Sequence, residues 1–136
     1  MIRSVLASRS LKPFRRPRLW AGLWILAIAA VVVVSLVPAP ELPDLPPGSD
    51  KFEHFLAYCA LAIGAVQLYA RRPAWVGAGI GLVLLGIGLE YAQGLLTTTR
   101  MMDRWDALAN TLGVIAGLAT FLTPWRDALL RFDTRR

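Results

Sequence analysis

The chain has 136 residues, 56% of them hydrophobic, and a formal net charge of +6. That length suits one domain. The apolar residues come in long blocks, which excludes an ordinary soluble domain, and with no soluble body to present a basic face the charge does not imply a nucleic-acid partner.

Leu19–Val37 is nineteen residues without a charge. As a helix it covers roughly 28 Å, close to a bilayer core of about 30 Å. Six basic residues precede it, as in a secretory signal. The run is longer than the roughly 7–15 residues of a signal core, and Val37-Pro38-Ala39-Pro40 is a poor cleavage site, so a retained helix is expected. The connection Pro38–Ser49 holds five prolines with Glu41 and Asp44, a composition for extended backbone lying over the helix ends.

A second block, Phe55–Ala70, is preceded by Asp50-Lys51-Phe52-Glu53-His54. Asp50, Lys51 and His54 share a helical face, and Tyr58 continues it one turn on. Asp50 with Glu53 also fits a capping box. Cys59 is the single cysteine; it forms no internal disulfide and reads as a packing residue. Arg71-Arg72-Pro73 makes a tight turn, so the second and third spans form an antiparallel hairpin.

The third block, Ala74–Leu96, is rich in glycine. Gly77 and Gly81 form a G-x-x-x-G, as do Gly113 and Gly117 in the fourth block, and small residues so spaced let membrane helices approach closely. Gly77-x-Gly79-x-Gly81 follows no strand and is no dinucleotide loop. No cofactor is expected. The third span ends with Glu90 and Gln93, Glu90 about 9 Å inside its end. After Thr97–Arg104 comes the fourth block, Ala107–Trp125, introduced by Asp103, Asp106 and Asn110.

The expected architecture is therefore all-α, a polytopic membrane protein built as a bundle of four transmembrane helices. A basic tail (1–18) precedes a membrane domain (19–125) with spans near 19–37, 51–70, 74–96 and 106–125, and a second tail (126–136) follows. Twelve basic residues fall on one side of such a topology; only Lys51, Arg100 and Arg104 fall on the other. The positive-inside rule puts both termini in the cytoplasm. Trp20, Tyr69, Trp75 and Trp125 then lie toward the inner interface and Trp105 toward the outer one. Asp127–Arg136 is expected along the inner surface.

This topology places Asp50, Lys51, His54, Glu90, Gln93, Arg100, Asp103, Asp106 and Asn110 at one outward-facing end, on three helices. A charged side chain at membrane depth costs on the order of 2.5–3.5 kcal/mol on insertion scales, so such a cluster must face something polar. Glu90 cannot be a cap, because it lies inside its helix. It requires a partner in His54, Lys51 or Arg100, or a proton. His54, Glu90 and Asp106 form the candidate catalytic set, as general acid–base groups. Lys51, Arg100, Gln93, Asn110, Asp50 and Asp103 form the candidate ligand-binding set, with Lys51 and Arg100 suited to a phosphate. No H-x-x-x-H or D-x-D spacing supports a metal.

The combined pattern Asp50-Lys51-x-x-His54-x-x-x-Tyr58, Glu90-x-x-Gln93 and Arg100-x-x-Asp103-x-x-Asp106-x-x-x-Asn110-x-x-Gly113 resembles the VanZ-like family of small bacterial membrane proteins. The resemblance covers about residues 38–120. Thr97-Thr98-Thr99 departs from it, standing where proline or glycine is expected before the arginine. The family's name-giving member is associated with resistance to the glycopeptide teicoplanin. The resemblance implies a multi-pass protein of the bacterial cytoplasmic membrane, without naming a reaction. The leading expectation is an outward pocket for an anionic, lipid-linked component of the cell envelope. The alternatives are an accessory protein whose polar cluster locks helix packing, and a hydrolase or transferase using His54 and Glu90. A proton-coupled transporter fits less well, because only Gln67 and Thr120 offer polar groups toward the other side.

Overall fold

A computed structural model describes residues 10–37, 46–98 and 101–135. The described residues hold five α-helices: α1 (Pro17–Leu36), α2 (Ser49–Leu68), α3 (Arg72–Leu96), α4 (Arg104–Ala119) and α5 (Ala128–Thr134). Two short 3-10 turns, Thr120–Leu122 and Pro124–Asp127, join α4 to α5. Most of the proline-rich connection, 38–45, and Arg100 lie outside the described residues.

The protein is all-helical, and α1, α3 and α4 with its first 3-10 turn are long and apolar enough to cross a membrane. The second expected span, α2, falls outside that set. Its first turns carry Asp50, Lys51, Glu53 and His54, which dilute the apolar content. Its inward face is nonetheless enclosed: Tyr58, Leu61, Ala62, Ala65, Val66 and Leu68 are buried. A helix wrapped by its neighbours can carry polar residues that a lipid-facing one cannot. By contrast α1 has no buried residue, and Ile25, Leu26, Val33 and Val34 face outward.

The α2–α4 pairing dominates the bundle. Glycine makes it possible. A Cβ at Gly113 would land on the Phe55 carbonyl, and one at Gly117 on the Cys59 carbonyl and Ala62. The two glycine pairs noted in the sequence therefore differ. Gly113 and Gly117 are contact points, whereas Gly77 and Gly81 have nothing within 4 Å of a Cβ. Gly64 admits the Trp24 ring of α1, whose Nε1 donates to the Leu61 carbonyl at 2.9 Å. Trp75 lies in the core with Ala65 and Val66, its ring 4.8 Å from that of Phe121, rather than in an exposed belt.

The end of the bundle opposite Asp50 and Asp103 is tied together by the segment that precedes α1. The Lys12 amide donates to the Leu68 carbonyl and the Ala70 amide to Ser10. Lys12 is only 9% exposed. Its ammonium reaches the Val66 carbonyl at 2.8 Å, the Arg126 carbonyl, and Asp127 at 2.9 Å. That hydrogen bond holds the Asp127 carboxyl below its ordinary value of 3.8. A depressed acid contributes stability above its unfolded pKa and loses it as pH falls through the folded one. The melting temperature in detergent is therefore expected to fall below about pH 4, with a shallower fall in Asp127→Asn. Lys12→Met, which takes the ammonium from the buried Val66 carbonyl and from the Arg126 carbonyl, is expected to cost roughly 2–3 kcal/mol by the same melt.

Candidate functional site

The polar cluster exists because core stripes on three helices change character at one end. On α3 the buried positions are Trp75, Gly79, Leu82, Gly86 and Leu89, then Glu90 and Gln93. On α4 they are Asp106, Ala109, Asn110, Gly113, Val114 and Gly117. The intervals of three and four define one inward face, so Glu90, Gln93, Asp106 and Asn110 point inward for the same reason as the leucines. All four are buried, with Glu90 at 2% exposure. Opposite them α2 supplies Lys51 and His54.

Lys51 is the hub. Its Nζ lies 3.0 Å from Asp103, 3.2 Å from Asp106 and 3.2 Å from Asp50. An ammonium has three protons to donate, and three carboxylates take them. Asp103 is also the N-cap of α4, accepting from the Trp105 amide at 2.8 Å. Lys51 first, and that amide second, hold its carboxyl below the usual range. Asp103 thus serves as a cap. Asp50, read as one in the sequence, does not: α2 starts two residues earlier than such a cap requires, after Gly48, which occupies the left-handed region at φ 86° as N-cap.

His54 bridges α2 to α4. Its Nδ1 lies 3.0 Å from Asn110 Oδ1. An amide oxygen only accepts, so in this geometry Nδ1 is the donor. Nε2 faces Asp106 Oδ2 at 3.5 Å, too long for a strong hydrogen bond. Glu90 Oε2 accepts the Asp103 amide at 3.2 Å, fastening α3 to the start of α4. Gln93 donates to the Ser35 carbonyl of α1 at 2.9 Å, the thread that ties the first helix to the cluster.

Eight of the nine residues singled out in the sequence thus gather at one end of the bundle; the ninth, Arg100, lies outside the described residues. His54, Glu90 and Asp106 offer ligand atoms within 4.8 Å of one another, the spacing of a divalent-cation site, although no metal motif was visible in the sequence. An open cavity of about 300 Å³ adjoins the cluster. Glu53, His54, Tyr58 and Gln93 line one side of it, and Ala30, Val31 and Val34 of α1 the other. Three contributors escaped the sequence reading. Ser35 is the lone hydroxyl of α1, which was a visible signal. Glu53 was read as a cap. Gly86, one turn before Glu90, makes room for Asn110 and Tyr58, each 3.2 Å from where its Cβ would sit.

Toward the other end Gln67 and Thr120 are taken up by local hydrogen bonds. The Gln67 amide donates to the Trp125 carbonyl at 2.9 Å and accepts from the Leu129 amide at 3.0 Å, and Thr120 bonds the Gly117 carbonyl. No protein-family model, curated protein or solved structure matches the chain.

Proposed function

We propose that this chain is a four-span membrane protein of the VanZ-like type, in the cytoplasmic membrane of a bacterium with both termini inside. Its outward-facing pocket binds a lipid-linked, anionic component of the cell envelope. The observation that carries this reading is the two-sided cavity beside the cluster. The α2 and α3 side is mostly polar, with Glu53, His54, Tyr58 and Gln93 beside Ala57; the α1 side is mostly aliphatic, with Ala30, Val31 and Val34 beside Ser35. That lining suits an amphiphile, with chain carbons along Ala30, Val31 and Val34 and hydroxyl or sugar groups against His54, Glu53 and Gln93.

The charge balance refines the earlier assignment of roles. Lys51 was expected to hold the anion, but it is engaged by Asp50, Asp103 and Asp106. Its role is to hold the carboxylates together, which assigns the anion to Arg100, the residue the motif supplies for it. Within this reading His54 Nε2, opposite Asp106, and Glu90, within 4.8 Å of ligand atoms of both, are the groups that handle protons at a bound ligand.

Native mass spectrometry of the gently extracted protein tests the proposal. A polyprenyl-phosphate or glycolipid is expected to co-purify with the wild type. Arg100→Ala is expected to reduce the bound fraction about tenfold, the equivalent of one charge-assisted contact. Val34→Trp, which fills the cavity from the α1 side, is expected to abolish it. Retention of the lipid by both variants rejects the pocket.

The second reading, a structural lock, is favoured by one specific observation: the Lys51 ammonium is fully satisfied by protein carboxylates, as in a finished packing device. The two readings separate on Glu90, as argued below.

A further inference from the structure

A second cavity, of about 420 Å³, lies at the opposite end of the bundle, where the start of α1 meets α5. It is some 22 Å along α1 from Ser35, taking 1.5 Å per residue from Trp20. Arg15, Arg16, Trp20, Phe132, Asp133 and Arg135 line it. The single acid among them faces the walls. Asp133 accepts from the Arg15 and Arg16 amides and, at 2.9 Å, from the Trp20 indole. It thereby builds the cavity by fastening α5 to the start of α1. The described hydrogen bonds of Asp133 are to N–H groups of backbone and indole, the Arg16 charge acts on it besides, and three exposed guanidinium side chains line the space. Trp20 and Phe132 close one wall edge to face, their rings 6.2 Å apart.

We infer that this cavity binds the phosphate of an anionic phospholipid, whose acyl chains run along α1. Planar guanidinium forks match phosphate oxygens in pairs, and the aromatic pair belongs to the depth of a headgroup. The lipid source is chosen by what adjoins the cavity. The helix that starts there has no buried residue, and Leu19, Leu23 and Leu26, at intervals of four and three, form an exposed apolar track on its next turns. A free phosphate would use the arginines and leave that track unused.

The test is native mass spectrometry of the full-length protein in detergent with phosphatidylglycerol or phosphatidylcholine of matched chains, and with inorganic phosphate as the soluble probe. Phosphatidylglycerol is expected to bind at least about tenfold better than phosphatidylcholine, since each arginine near an anionic headgroup is worth roughly fivefold. The R15A/R16A/R135A variant is expected to bring the ratio near one. These substitutions leave untouched the Arg15 and Arg16 amides that hold Asp133. Arg135→Ala alone, beyond the end of α5, is expected to lower the ratio about fivefold without disturbing the bundle. Equal binding of the two lipids by the wild type overturns the inference. So does a preference that survives in the triple variant, or displacement of phosphatidylglycerol by millimolar inorganic phosphate.

Discussion

Alanine at Gly113 is expected to destabilise the protein by about 3 kcal/mol or more, roughly 10 °C in melting temperature, while alanine at Gly77 is expected to leave it unchanged or raise it. The physical difference lies in what the new Cβ meets. At Gly113 it meets backbone, the Phe55 carbonyl and the Cys59 amide of α2. Backbone in a helix cannot rotate aside, so α2 and α4 would have to separate. Those helices also hold the cluster: Lys51 and His54 stand on one, Asp106 and Asn110 on the other. Separation by even part of a methyl group stretches each of those contacts, so Gly113→Ala is expected to weaken ligand retention as well. At Gly77 the space around a Cβ is empty, and exchanging glycine for alanine inside a helix favours folding by up to about 1 kcal/mol. Melting of the two variants in one detergent decides the matter. A Gly113→Ala protein that melts with the wild type means that the α2–α4 contact is not the close one described.

This contrast also marks where the sequence stops being informative. Both glycine pairs have the same spacing, and nothing local to either says which will find a partner. The strongest helix contact, α2 with α4, skips the intervening α3. Sequence adjacency favours the α2–α3 hairpin and is silent about contacts between non-consecutive helices. What was legible was periodic. The all-helical class follows from the apolar blocks, and the gathering of Glu90, Gln93, Asp106 and Asn110 follows from intervals of three and four that continue each helix's core stripe. Burial of α2 was not legible as such, because its lower apolar content looks like a weaker span until its neighbours are seen to enclose it. Lys51 shows the remaining gap. Spacing places it on the face of His54, but its long side chain decides by reach which groups it meets, and it meets carboxylates. The N-terminal segment behaves likewise: Lys12 reads as one of six basic residues before α1, and only the folded chain shows its ammonium among the Val66 and Arg126 carbonyls.

Glu90→Gln is the substitution on which the binding and locking readings give opposite results. Glu90 is buried and receives the Asp103 amide on one oxygen. Glutamine has the same shape, and its amide oxygen can keep that hydrogen bond. What it removes is a carboxylate whose oxygen lies within 4.8 Å of ligand atoms of His54 and Asp106, inside a cluster where one lysine already serves three acids. A buried carboxylate kept for binding is a cost to the fold, because its charge is removed from water without a full set of partners. If binding is its purpose, Glu90→Gln is expected to melt at or above the wild-type temperature, by up to about 1 kcal/mol, while the bound lipid falls about tenfold. If the cluster is a lock, removing one charge from the network costs about 1–3 kcal/mol, and no ligand signal changes. Each outcome requires two readouts on the same sample, melting temperature and bound-lipid fraction. The combination of lowered stability with unchanged lipid retention rejects the binding role of Glu90. His54→Ala adds the independent check. It removes the group opposite Asp106 and leaves Asn110 Oδ1 without its donor, so a stability loss of about 1–2 kcal/mol is expected on either reading, and only the lipid signal separates them.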